Sequence, residues 1–167
     1  MMRIALLSDT HTHLDGNLFK YLEACDEIWH AGDIGNIETA NRLAEFAPLK
    51  AVHGNADGQD VRLVHPQNLR FRCEDVDVWM THIGGYPKRY DLNVRDEIKR
   101  NPPELFISGH SHILKVMYDK ELKLLHINPG AAGLQGFHQV QTLVRFTIDG
   151  KQIKDLEVVE FGTKKRN

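Results

Sequence analysis

Cysteine is scarce: there are two, Cys25 and Cys73, far apart and without paired spacing. That excludes a thiolate metal site and a disulfide framework, and it points to a reducing compartment. No apolar run is long enough to span a bilayer. The first residues lack the charged, apolar and cleavable regions of a signal peptide, and 3–7 reads instead as a short strand. The expectation is a cytoplasmic protein with no membrane partner. Positive charge is not in excess either, with 21 Lys and Arg against 23 Asp and Glu and a net charge of -2. A dedicated nucleic-acid binder carries a basic footprint, so a long nucleic-acid track is not expected and any phosphate affinity must be local. Internal repeats, low-complexity tracts and Pro/Gly-rich linkers are lacking too. One domain over 1–162 is therefore expected. A short basic tail, 163–167, carries Lys164, Lys165 and Arg166 and reads as solvated. The composition, 41% hydrophobic and 26% charged over 167 residues, suits a soluble domain with a real core.

Histidine, by contrast, is abundant, with ten copies. Their meaning depends on the elements that precede them. Apolar patterning predicts strands at 3–7, 27–30, 49–53 and 105–108, and helices at 17–24, 38–46 and 92–100. Alternation predicts hairpins from 68–74 with 76–81, from 116–118 with 122–127, and from 143–148 with 153–159. The last turns at Asp149-Gly150. The first half implies βαβ units, and the later hairpins imply a second, more antiparallel sheet. Two sheets packed face to face with helices outside would satisfy both.

Each of five predicted strands is followed by chemistry. The first gives Asp9-Thr10-His11, the next two give Gly32-Asp33 and Gly54-Asn55, another gives His82, and the last gives Gly109-His110-Ser111-His112. In sheets of this kind ligands gather beyond the carboxyl ends of strands, so these residues can converge. Imidazole, carboxylate and amide oxygen without thiolate suit manganese, iron, cobalt, nickel or zinc. Asp9, His11, Asp33, Asn55, His82, His110 and His112 are too many for one tetrahedral site and about right for two metals sharing a bridging group. The glycines at 32, 54 and 109 fit tight turns between strand and ligand. Two dications against Asp9, Asp33 and one hydroxide leave a cationic site that attracts phosphate. Metals roughly 3.5–4 Å apart can generate that hydroxide, orient it for in-line attack and stabilise the leaving oxygen.

The series D-x-H, GD, GN, H and GHxH, in this order, resembles the calcineurin-like metallophosphoesterase superfamily. The short chain resembles its small bacterial and archaeal phosphodiesterase branch, which is related to the retromer subunit Vps29. Asn128-Pro129-Gly130-Ala131 is similar to a further signature of that family. The resemblance implies an α/β fold, a four-layer αββα sandwich with two mixed β-sheets flanked by helices. It implies that Asp9, His11 and His112 bind one metal, that Asn55, His82 and His110 bind the other, and that Asp33 bridges them. Asn55 would also contact the substrate phosphate. The implied function is hydrolysis of a small phosphodiester by a metal-bridging hydroxide. Manganese is the foremost cofactor, with nickel, cobalt, iron and zinc as alternatives. The alternative function is a non-catalytic protein-binding scaffold like Vps29. Base rates of assembly add a homo-oligomer to the expectations.

Two positions depart from the family pattern. Many members place a general-acid His after the GN asparagine, where this chain has Ala56. The substitute offered by the sequence is His13, as a catalytic and substrate-binding residue. Ile83 follows His82 where the family often has Gly. The remaining histidines 30, 65, 126 and 138 read as structural, His53 reads as facing either core or site, and Lys88, Arg89 and Tyr90 read as a solvated loop. Asn128-Pro129-Gly130 reads as a structural turn near the site.

Overall fold

The computed structural model describes residues 1–164. The chain opens with β1 (Met2–Leu7), α1 (Phe19–Leu22), β2 (Glu27–His30), α2 (Ile37–Ala44), β3 (Leu49–Ala51) and α3 (Gln59–Arg62). It continues through β4 (Asn68–Cys73), β5 (Val76–Thr81), β6 (Gly85–Tyr86), β7 (Arg89–Tyr90), α4 (Arg95–Arg100) and β8 (Leu105–Ile107). It ends with β9 (Lys115–Asp119), β10 (Leu124–Asn128), β11 (Val140–Asp149) and β12 (Gln152–Thr163).

Two five-stranded sheets form, in the orders β12-β11-β1-β2-β3 and β4-β5-β8-β10-β9. Each is mixed: β1, β2 and β3 run parallel along one side of the first, and β5, β8 and β10 run parallel at the centre of the second. The faces that meet bury Ile4, Leu6, Trp29, Val78, Met80, Ile107, Ile127 and Phe146. Leu18 and Leu22 beside α1 and Leu43 of α2 pack on the outer face of the first sheet, against Ala5, Leu7 and Ile28. Val94 and Ile98 of the α4 region cover the outer face of the second, against Trp79, Phe106 and Leu124. The result is the expected αββα sandwich, with thin helical layers.

The last predicted hairpin lies elsewhere than expected. β11 pairs antiparallel with β1, Met2 opposite Ile148, so it extends the first sheet. The second sheet is consequently no more antiparallel than the first. Alternation fixes which side chains face inward and leaves the neighbouring strand open. The helices are shorter than their apolar spacing suggested: α1 is one turn, and α4 starts at Arg95. β12 continues through Thr163, and the Lys164 N–H reaches the Gln139 carbonyl at 2.9 Å, so the start of the expected tail is fastened to the sheet. Residues 165–167 of that tail lie outside the described residues. Among the described residues, no helix is long and apolar enough to cross a membrane.

Trp29 joins the two sheets. Its ring meets Phe71 of β4 edge-on at 5.0 Å and Phe146 of β11 at 5.7 Å, and its indole N–H donates to Glu27 at 2.7 Å. Trp29→Ala should destabilise the protein by about 3–5 kcal/mol through lost burial and a cavity between the sheets, measured by urea unfolding.

His30, at the end of β2, is fully buried and satisfied on both nitrogens, as a structural histidine should be. The Gly32 N–H donates to Nδ1 at 3.1 Å. The Thr10 hydroxyl, 3.0 Å from Nε2, already donates to the Ile34 carbonyl, so Nε2 carries the proton. A second proton on Nδ1 would face the Gly32 N–H. Burial pushes the imidazole down to about 4. The folded state therefore binds this proton less readily than the unfolded chain. The stabilisation is complete above about pH 6.5 and is lost as pH falls toward 4, on the order of 3 kcal/mol in all. Unfolding of metal-free protein at stepped pH should show this fall. His30→Asn, which keeps an acceptor for Gly32, should flatten it.

Candidate metal centre

The residues that follow the parallel strands meet at one edge of the sandwich. Two groups of ligand atoms form there, each lying within 4.8 Å: Asp9 with His11 and His112, and Asp33 with His82 and His110. Each group draws on both sheets. Asp9, His11 and Asp33 follow β1 and β2, and His82, His110 and His112 follow β5 and β8.

The groups abut. His112 Nε2 lies 3.1 Å from Asp9 Oδ1, and His82 Nε2 lies 3.1 Å from Asp33 Oδ2. Across the seam, His11 Nε2 is 3.7 Å from Asp33 Oδ2, and His82 Nε2 is 3.8 Å from Asp9 Oδ1. Outer contacts aim these atoms. Ser8 Oγ donates to Asp9 Oδ2 at 2.6 Å and the His110 N–H donates to the same oxygen at 3.2 Å, which leaves Oδ1 facing the imidazoles. His82 Nδ1 donates to the Ala31 carbonyl at 2.7 Å, so its bare lone pair is on Nε2. The Ala56 N–H holds Asp33 Oδ1 at 2.9 Å.

Two observations test whether a cation fits. Asp9 Oδ1 and His82 Nε2 are buried and, among the described residues, have no hydrogen-bond partner. Such atoms cost about 1–3 kcal/mol each unless something satisfies them. Burial alone would raise the Asp9 carboxyl, but His112, His82 and Ser8 outweigh it and hold it below the usual carboxylate range. Asp33 is likewise brought to about 2, with burial opposed by His82, Ala56 and His11. Burial would lower His82, yet Asp33 and Asp9 pull its affinity for a proton upward. Surroundings that favour a proton on Nε2 favour a cation there as well. The donor set is nitrogen and oxygen only, so the residues fit divalent transition metals.

Backbone strain collects here. Asp9, His11, Asp33, His110 and His112 all take left-handed conformations, with φ between 45° and 71°. Each such residue costs about 1 kcal/mol or more, and clustering of this kind marks functional sites.

Two of the three motif glycines have a different purpose from the one expected. Gly32 does take φ of 101°, as a tight turn requires. Gly54 and Gly109 do not, and their role is close approach. A Cβ on Gly54 would stand 2.1 Å from Asp33 Oδ1, and one on Gly109 would stand 2.2 Å from Ser8 Oγ.

Asn55 is exposed and shares a cavity of about 230 Å³ with His82, His53, Arg62 and Thr81. His53 therefore faces the neighbourhood of the site, with Nδ1 anchored on the His65 carbonyl at 2.8 Å. His13 lies in neither ligand group, and its Nε2 is turned toward Asp15 at 3.9 Å. Asn128 organises the GHSH loop: its amide donates to the Gly109 carbonyl and Ser111 Oγ, and its oxygen accepts from Gly130 N–H. That is the structural role expected of the turn. His138 Nε2 donates to the Gly133 carbonyl at 2.8 Å, the structural role expected of it, and its ring meets His112 at 5.3 Å.

Sequence reasoning missed Asp57. It is buried, and its carboxylate accepts from the N–H groups of Ile34, Gly35 and Gly54, locking the loops of Asp33 and Asn55 together. Its place two residues after Asn55, before Gly58, was the available signal.

Residues 2–151 match the calcineurin-like phosphoesterase superfamily domain. A probable metallophosphoesterase of Methanocaldococcus jannaschii is 29% identical over 136 residues, covering 78% of this chain and 68% of that protein. A phosphodiesterase of the same organism is 24% identical over 146 residues, covering 77% and 83%. Among solved structures, Vps29 of Chaetomium thermophilum superposes with a TM-score of 0.74 at 15% identity, covering 98% of this chain and all of that one. A novel archaeal phosphodiesterase superposes with a TM-score of 0.72 at 22% identity, covering 95% and 100%. With its motifs gathered at one edge of the αββα sandwich, the chain belongs to the calcineurin-like phosphoesterase superfamily.

Proposed function

We propose that this protein hydrolyses small phosphodiesters at a site holding two divalent transition metals, manganese foremost, with nickel, cobalt, iron and zinc as alternatives. The observation that carries the reading is the position of Asp33. Its Oδ2 lies 3.1 Å from His82 and 3.7 Å from His11, so one carboxylate oxygen reaches the imidazoles of both ligand groups. In this reading Asp9, His11 and His112 hold one ion, Asn55, His82 and His110 hold the other, and Asp33 is shared. The ions would supply Lewis acidity and a water-derived nucleophile at neutral pH.

The rest falls to the chain itself. Asp9 and Asp33, kept ionised by their surroundings, neutralise part of the metal charge and leave the site attractive to phosphate. Exposed Asn55 can donate its amide to a phosphate oxygen. Ala56 has no proton to give, and His13 is directed at Asp15. Leaving groups that need little protonation should therefore be favoured. An acid contributes about 10²–10⁴-fold for ordinary alcohols, and alkyl diesters should be slower by that order. The relatives named as a metallophosphoesterase and phosphodiesterases favour the hydrolytic reading. A scaffold would not need two competent ligand groups.

The test is hydrolysis of bis(p-nitrophenyl) phosphate by metal-stripped protein, with and without manganese. Activity should appear only with metal. Asp33→Asn and His110→Ala should each lower it by roughly 10²-fold or more while the proteins remain folded. Calorimetric titration should find two manganese ions per wild-type chain. A folded protein inactive with manganese, nickel, cobalt and zinc would transfer the argument to the scaffold reading.

A further inference from the structure

A second cavity, of about 180 Å³, adjoins the metal centre on the side of His110. It lies on the outer face of the second sheet, beneath the β6–β7 hairpin, and its walls include Ile83, Gly84, Tyr86, Ser111, Lys115 and His126. The hairpin is tied down there. Ser108 Oγ donates to the Gly85 carbonyl at 3.1 Å, and Gly84 lies against Phe106 so closely that a Cβ would be 2.6 Å from the ring. The volume is below the roughly 300 Å³ that takes a whole drug-sized ligand, so it suits one substituent.

His126 is the unusual member. Its side chain is fully buried, yet Nε2 has no hydrogen-bond partner among the described residues. Nδ1 lies 3.1 Å from the Phe106 carbonyl and must donate to it, which leaves Nε2 as an acceptor. An unpaired acceptor immediately behind a cavity wall asks for a donor, which an entrant supplies once the wall gives way around it. Tyr86 adds an aromatic wall, with the Lys115 ammonium 3.6 Å from its ring centroid. An acceptor, an aromatic plane and a cation together fit a flat heterocycle bearing an N–H group. Ile83 lines this cavity and the 230 Å³ one beside Asn55 alike, so it divides the space around the metal centre in two. A diester has two arms.

We propose that the His126 cavity is a specificity subsite for a nucleobase on one arm of the phosphodiester, with His126 Nε2 accepting from a base N–H and Ile83 separating that arm from the other. The inference rests on the phosphodiesterase reading, and its test separates the two.

The probe is thymidine 5′-(p-nitrophenyl phosphate), whose base has one N–H, compared with bis(p-nitrophenyl) phosphate, which has none. In manganese-loaded protein, His126→Phe and Tyr86→Ala should each raise KM for the thymidine ester about tenfold, with kcat within twofold. Neither should shift KM for the aryl diester by more than twofold. The N3-methylthymidine ester should show the same rise with the wild-type protein, where folding is not in question. Equal KM values for the methylated and unmethylated esters, or equal rises for both substrates in both variants, would overturn the subsite. If neither ester is hydrolysed with any metal, the hydrolytic reading fails by itself. NMR titration of the full protein with thymidine, which lacks phosphate, then decides the subsite. Shifts at His126 and Tyr86 that vanish in His126→Phe sustain it, and their absence refutes it.

Discussion

Two buried carboxylates are held against four imidazoles at one edge of the sandwich, and the rest of the fold is arranged to keep them there. The arrangement is expensive by itself. Asp9 Oδ1 and His82 Nε2 are buried without partners, and five of the surrounding residues are left-handed. Unpaired buried atoms and strained backbone together cost several kcal/mol, which is comparable to the net stability of a domain. A cation bound by the folded state and not by the unfolded one offsets this through mass action. Metal affinity and folding are on this account one equilibrium.

Neither sheet could build the centre by itself. Each ligand group takes members from both, so the distance between the sheets sets the distance between ligands. That gives the apolar interior a direct part in function. Trp29 wedged between Phe71 and Phe146, and Ile4, Val78 and Ile127 around it, determine where Asp9 and His112 meet. The loops carry a second level of control. Asp57 accepts three backbone N–H groups from two loops, and Asn128 ties Gly109 to Ser111. These carboxylate and amide clamps hold short segments that contain almost no apolar anchors of their own.

The elements most legible in the sequence are those whose signal is local. Residues 27–30 read as a strand and form one, and the hairpin at 68–81 needs no distant information. The convergence of Asp9, His11, Asp33, His82, His110 and His112 was legible because each lies just past an apolar run, and parallel strands deliver their carboxyl ends to one edge. Partnership was not legible. Nothing in the alternation of 143–148 says that β11 lies against β1, more than a hundred positions earlier in the chain, and the pairing depends on which sheet edge remains open. The reasons for Gly54 and Gly109 were hidden for a related cause. A glycine kept for close approach looks in sequence like a glycine kept for a turn, and only the positions of Asp33 and Ser8 distinguish them. Asp57 was missed because it acts on the site through the backbone of its neighbours.

The αββα frame is shared with proteins named as phosphodiesterases and with Vps29 alike, at identities too low to carry more than the fold. A shared frame does not choose between hydrolysis and partner binding. The side chains argue more strongly. Left-handed histidines, a carboxylate with an unsatisfied oxygen and glycines against which Asp33 and Ser8 pack belong to a cation site, whatever that site then serves. Such features weaken a fold, and a glycine at any of the left-handed positions would relieve the strain there. Their presence together at one edge, with both acids held ionised by the imidazoles beside them, suits the binding of divalent cations. By the same reasoning Ala56 is informative. On the proposed hydrolytic reading, a side chain without a proton directly after Asn55 favours substrates whose leaving group departs unaided, unless His53, which shares the cavity with Asn55, supplies one.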